Sequence, residues 1–172
     1  MKNKILSEMA QKITPYQWAK NVGPEILRFD TNTLPSLPPC VNKFLKDLVN
    51  NCPINEYGDP SYIKLKKLIS KYEEVPENMI TITNSGDEAL DIIGKAFLNE
   101  GDYFLIQPPT YEIFRSQCEI NRGKAIEVPL FKKTFRPDVK NVIKTLKNKL
   151  IKITFVCNPN NPTGTIAKLE EI

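Results

Sequence analysis

Apolar residues recur along this chain with two different periods, and the change between them divides it. Before residue 60 the pattern is broken by proline. LPSLPP at residues 34–39 and CPINEYGDP at 52–60 enclose one short amphipathic stretch at 41–49. Proline fixes φ and removes a backbone donor, so this density predicts an irregular arm that wraps something. Ser61 then stands where it can cap a helix whose apolar residues Ile63, Leu65, Leu68, Ile69 and Tyr72 keep a helical period. From residue 79 strand and helix periods alternate. Residues 79–83 are short and β-branched, Asn84-Ser85-Gly86 is turn chemistry, and 87–98 sets Leu90, Ile93 and Phe97 on one helical face. A turn at 99–102 leads to a strand at 103–107, a helix at 111–120 that stops near Gly123, and a strand at 125–130. Asp138 can cap a helix running to Lys149, and 150–157 is a strand so continuously apolar that it predicts cover on both faces. This alternation predicts an α/β layer with a largely parallel sheet flanked by helices, preceded by the arm.

Composition narrows the chemistry. The 172 residues suit one ordinary domain, and 41% hydrophobic with 26% charged content suits a folded globule. The chain has no histidine, which removes Ser-His-Asp and Cys-His pairs, imidazole proton shuttles and most zinc sites. Its 24 basic and 20 acidic residues leave a net charge of +4. Only four of the basic residues are arginine, and the lysines are scattered, which is not the stripe that binds nucleic acid. The densest run, 140–152, interleaves lysine with Val142, Ile143, Leu146 and Leu150 and reads as the solvated face of an amphipathic helix. Cys40, Cys52, Cys118 and Cys157 are far apart with no CxxC pair, so reduced thiols and no metal site are expected. The first ten residues are too polar for a secretory leader and no stretch approaches a membrane span, so a cytoplasmic location without a membrane partner is expected.

In an open α/β sheet, ligands bind outside the carboxyl ends of the strands, so three turns matter. The first, Asn84-Ser85-Gly86-Asp87-Glu88, leads into a helix whose unsatisfied N–H groups suit an anion such as phosphate. Asp87 and Glu88 can equally be plain helix caps. In the second, Pro108 and Pro109 hold the chain rigid, so that Tyr111 either offers its ring to a planar ligand or packs over the sheet edge. The third, 158–164, has two prolines, three asparagines and a glycine, far more side-chain amide donors than a plain surface turn needs.

PNNPTG after an apolar strand, PPTY about fifty residues earlier, SGDEAL before it and NEYGDPSYIKLKKLISKY further upstream together resemble the aminotransferase class I/II family. Within it the chain looks most like the histidinol-phosphate aminotransferases. The resemblance runs from about Tyr16 to the last residue. It implies pyridoxal 5′-phosphate as cofactor, the N-terminal part of an incomplete fold-type I large domain for residues 61–172, and an arm with a small-domain portion for residues 1–60. It implies that the backbone of Ser85, Gly86 and Asp87 holds the cofactor phosphate, that Tyr111 stacks on the pyridine ring, and that Asn161 bonds the ring hydroxyl. It implies that Tyr57 reaches the cofactor phosphate of the partner subunit in a homodimer, and that Tyr16 approaches the substrate. The substrates implied are an amino donor and a 2-oxo acid, 2-oxoglutarate being expected. The family usually writes glycine before serine or alanine in the phosphate turn. Here Ser85 precedes Gly86, and a positive φ would strain Ser85. In the family the Schiff-base lysine follows PNNPTG, and no lysine here matches it. The expectation is an N-terminal fragment, inactive alone, with a non-catalytic cofactor-binding remnant or a decarboxylase or lyase of the same fold as alternatives.

Overall fold

The computed structural model describes residues 5–12, 23, 25–27, 34, 36–52 and 55–172. Their order is α1 (Glu8–Lys12), α2 (Pro39–Asn51), α3 (Ile63–Glu73), α4 (Ser85–Phe97), β1 (Tyr103–Ile106), α5 (Ile113–Ile120), β2 (Lys124–Glu127), α6 (Val139–Asn148) and β3 (Ile151–Thr154), with single 3-10 turns at Glu77–Met79 and Leu169–Glu171. The chain divides into two units, Pro15–Ile82 and a second made of Met1–Thr14 with Thr83–Ile172.

In the first unit, α2 opens on Pro39, where the missing N–H costs no helical bond. Tyr62, at φ +51°, holds the N-cap position of α3, and Ser61 supports the helix start from one residue further back. The Ser61 Oγ accepts the N–H of Ile63, the first residue of α3, at 3.4 Å and donates to Asp59 Oδ1 at 2.6 Å. The β-branched stretch at 79–83 does not form a strand. Met79 closes a 3-10 turn, and Ile80 is extended at φ −111° and ψ 124°, yet no described strand pairs with it. Extended backbone becomes a strand only when a neighbour takes up its N–H and C=O groups.

The second unit holds a three-stranded parallel sheet in the order β2-β1-β3. Central β1 is closed on both faces: Phe104, Leu105 and Ile106 are at most 3% exposed. Phe104 and Ile106 pack with Leu98 of the α4–β1 connection and Cys118 of α5, and Phe114, Ala125, Ile153 and Phe155 complete this core. Burial pushes the Cys118 thiol up to about 11, so it stays protonated in the fold. The expected double cover of the last strand is absent. β3 alternates half-buried with exposed residues, because it lies at an edge of the described sheet while β1 takes the middle.

Two helix ends explain how the strands are set. Asp138 caps α6 as its position suggests, accepting from the Asn141 N–H at 3.1 Å. After α5, the Gly123 N–H donates to Cys118 O at 2.9 Å and the Arg122 N–H to Glu119 O at 2.9 Å, a Schellman ending. Arg122, at φ +62°, takes the left-handed position usually filled by glycine. Gly123 is instead needed for closeness: a Cβ there would sit 2.9 Å from Leu98 Cδ1 and 3.1 Å from both Cys118 O and Phe104 Cδ1. On α6 the lysines face outward as read, and Ile143 and Leu146 are also 46% and 41% exposed.

Candidate functional site

Because β2 and β3 flank β1 on opposite sides, the chain reverses its direction of travel across the sheet at β1. The carboxyl ends of β1 and β3 therefore form the crevice where such sheets take ligands. Two loops meet there. The β1 loop contains the cis Pro108–Pro109 bond, and the β3 loop contains cis bonds at Asn158–Pro159 and Asn161–Pro162. Asn160 joins them. Its Oδ1 accepts from Thr110 Oγ1 at 2.9 Å, and its Nδ2 donates to Pro109 O at 3.0 Å and Thr163 Oγ1 at 2.9 Å. Only 8% of Asn160 is exposed, whereas neighbouring Asn161 faces outward. The backbone closes the second loop, with Gly164 N–H on Asn160 O at 2.7 Å and Asn160 N–H on Thr165 O at 2.9 Å.

Tyr111 follows Thr110 and is half-buried. Its ring meets Phe114 edge-on, at 5.6 Å between centroids and 87° between planes, and Phe114 lies stacked on Phe155 at 4.5 Å. Its hydroxyl donates to Asp87 Oδ1 at 2.9 Å, which ties the β1 loop to the first turn of α4. There the cap alternative holds for Glu88, whose carboxylate accepts the Asn84 N–H. Asp87 spends one oxygen on Tyr111 instead. The Asn84 side chain makes no capping bond, Gly86 is exposed, and a Cβ at Gly86 would meet nothing within 4 Å. The helix start thus combines first-turn N–H groups that the Asn84 side chain leaves uncapped, the positive end of a thirteen-residue helix and open space at Gly86, which suits a phosphate.

Of the residues singled out in the sequence, Ser85, Gly86, Asp87, Tyr111 and Asn161 lie on these three segments. Tyr57 belongs to the other unit and is fully exposed, and Tyr16 lies outside the described residues. The sequence does not mark Asn160 and Thr110 apart from their neighbours. The density of asparagine in the loop was the visible signal, but adjacent asparagines are chemically alike, and the one that turns inward is chosen by a partner fifty residues away.

The strain anticipated at Ser85 is present: its φ is +79°, while Gly86 has no positive φ. A side chain in the left-handed region costs about 1–2 kcal/mol. Ser85→Gly should therefore raise stability by roughly 0.5–1 kcal/mol after the added flexibility of the unfolded chain is deducted. Gly86→Ala should be nearly neutral. Denaturant midpoints measure both, and an unchanged or lower midpoint for Ser85→Gly would contradict the strain.

Known proteins share the sequence family and the fold. The family model for aminotransferase class I and II matches residues 24–172. Histidinol-phosphate aminotransferase of Thermoanaerobacter sp. (strain X514) is 33% identical over 147 residues, 84% of this chain and 41% of that protein. Alanine aminotransferase from Pyrococcus furiosus superimposes with a TM-score of 0.69 at 27% identity, over 78% of this chain and 37% of that one. Histidinol-phosphate aminotransferase from Sinorhizobium meliloti, in complex with pyridoxal-5′-phosphate, shares the fold with a TM-score of 0.67 at 20% identity, over 74% of this chain and 34% of that one. The chain spans less than half the length of the curated relatives it matches. With its family motifs carried on a parallel sheet flanked by helices, the chain belongs to the aminotransferase class I and II family.

Proposed function

We propose that this chain forms the cofactor platform of a pyridoxal-phosphate-dependent aminotransferase. The enzyme would move the amino group of histidinol phosphate, or a related amino compound, to a 2-oxo acid such as 2-oxoglutarate. The observation that carries this reading is the convergence of three segments, in which Asn160 bonds Thr110 and Tyr111 bonds Asp87 at the open start of α4. The relatives named histidinol-phosphate aminotransferase support the substrate class. The solved complex of one such enzyme with pyridoxal-5′-phosphate supports the cofactor.

In this reading the N–H groups of Ser85, Gly86 and Asp87 bind the phosphate through charge-assisted bonds and the helix dipole. Tyr111 holds the pyridine face, and the Asn161 side-chain N–H donates to the ring hydroxyl oxygen. Tyr57 serves the phosphate site of the partner subunit in a cytoplasmic homodimer, and Tyr16 contacts substrate. Bound there, pyridoxal phosphate would supply the electron sink that lets a proton leave the substrate carbon. The reading assigns the covalent lysine to no residue of this chain, so the 172-residue chain is expected to bind cofactor without turnover.

The experiment is a fluorescence titration of the purified chain with pyridoxal phosphate, paired with thermal unfolding and an assay with histidinol phosphate and 2-oxoglutarate. Saturable binding should appear, competed by inorganic phosphate, and cofactor at a hundred times its Kd should stabilise the fold by about 2.7 kcal/mol. No amino transfer should be detected. Absence of binding at millimolar cofactor would overturn the cofactor assignment, and turnover would overturn the expected inactivity.

A further inference from the structure

We propose that Asn160 is a positioning residue: its side chain locks the Tyr111 loop onto the Asn161 loop, so that both are presented to one planar ligand at a fixed separation. The inference rests on the cofactor reading above, but its structural half stands alone. One buried amide uses both of its ends across the gap between strands. Oδ1 receives the Thr110 hydroxyl at 2.9 Å and Nδ2 reaches Pro109 O at 3.0 Å, while the same Nδ2 holds Thr163 of its own loop at 2.9 Å. Residues 110 and 160 each immediately precede a residue assigned to the ring, so any slip of one loop against the other changes the spacing of Tyr111 and Asn161. Asn160 itself is only 8% exposed and Thr110 and Thr163 are half-buried, so truncating the amide removes bonds that water replaces only in part.

A second asparagine in the loop supplies the control. Asn158 braces only its own segment, accepting from the Ala167 N–H at 3.0 Å through Oδ1 and donating to Ala167 O at 3.4 Å through Nδ2. If Asn160 merely stiffened its own loop, Asn158→Ala and Asn160→Ala would have the same reach.

The test compares the 172-residue chain with Asn160→Ala, Thr110→Val, the double variant and Asn158→Ala. Amide hydrogen exchange of residues 110–112 is followed together with pyridoxal phosphate affinity. In Asn160→Ala and Thr110→Val, exchange at 110–112 should quicken by roughly tenfold while β1 amides stay protected. The double variant should be no faster than Asn160→Ala alone, since the two residues share one bond. Asn158→Ala should leave 110–112 unchanged. Affinity for pyridoxal phosphate should fall by about tenfold in Asn160→Ala, as expected when preorganisation is lost. Unchanged exchange at 110–112 in Asn160→Ala, additive effects in the double variant, or an equal effect from Asn158→Ala would each overturn the clamp. If the unaltered chain binds no pyridoxal phosphate, the cofactor reading fails and the exchange data still decide the clamp.

Discussion

Phe104→Ala should lower the unfolding free energy by about 4 kcal/mol, a large share of the roughly 5–15 kcal/mol available to a domain of this size. Phe104 is 0% exposed in the central strand, so its whole side chain leaves the core when truncated. The surroundings cannot close over the gap. Gly123 already sits within van der Waals reach of the ring, and Phe155 meets it edge-on at 6.5 Å. Gly123 is held by its N–H on Cys118 O at 2.9 Å, and Phe155 by its N–H on Leu105 O at 3.0 Å. A cavity that persists adds its own cost to the lost transfer energy. Phe104→Leu, which keeps most of the volume, should cost about 1–2 kcal/mol. Urea unfolding followed by circular dichroism would read both, and a loss below about 1 kcal/mol for the alanine variant would show that this core is not packed as described.

Tyr111→Ala should weaken pyridoxal phosphate binding by about 10- to 100-fold, taking aromatic stacking on a planar heterocycle as worth 1–3 kcal/mol. Two contacts fix the ring before any ligand arrives: Phe114 against its plane at 87°, and the 2.9 Å bond from its hydroxyl to Asp87. Little ordering entropy therefore remains for binding. Tyr111→Phe keeps the ring and its brace and loses only a bond to an exposed carboxylate, so its affinity should stay within about fivefold. Fluorescence titration separates the variants. Equal losses for alanine and phenylalanine would mean that the hydroxyl, not the ring face, carries the contact.

What could be read from the sequence, and what could not, divides along physical lines. α4, α5, α6 and β1 were legible because their apolar periods and the Asp138 cap are local signals that the fold leaves in place. The stretch at 79–83 was misread because strand composition is local but strand pairing is not. β3 was misread for a similar reason: Ile151 and Ile153 fit either a central or an edge strand, and only the order β2-β1-β3 decides. Gly123 reads as a helix stop, while the left-handed residue is Arg122, because close packing against Leu98 and Phe104 claims the glycine. At the site, the three turns were legible from strand-end position and unusual composition. The inward turn of Asn160 was not, since its partners Thr110 and Pro109 lie in a different loop.

The ring that would face the ligand is the outermost of four that touch in succession, from Phe104 through Phe155 and Phe114 to Tyr111. The innermost is wholly enclosed and the outermost half open. Inward displacement of the Tyr111 ring therefore requires Phe114 and Phe155 to yield, so the buried core backs the ring against a ligand pressing from the crevice.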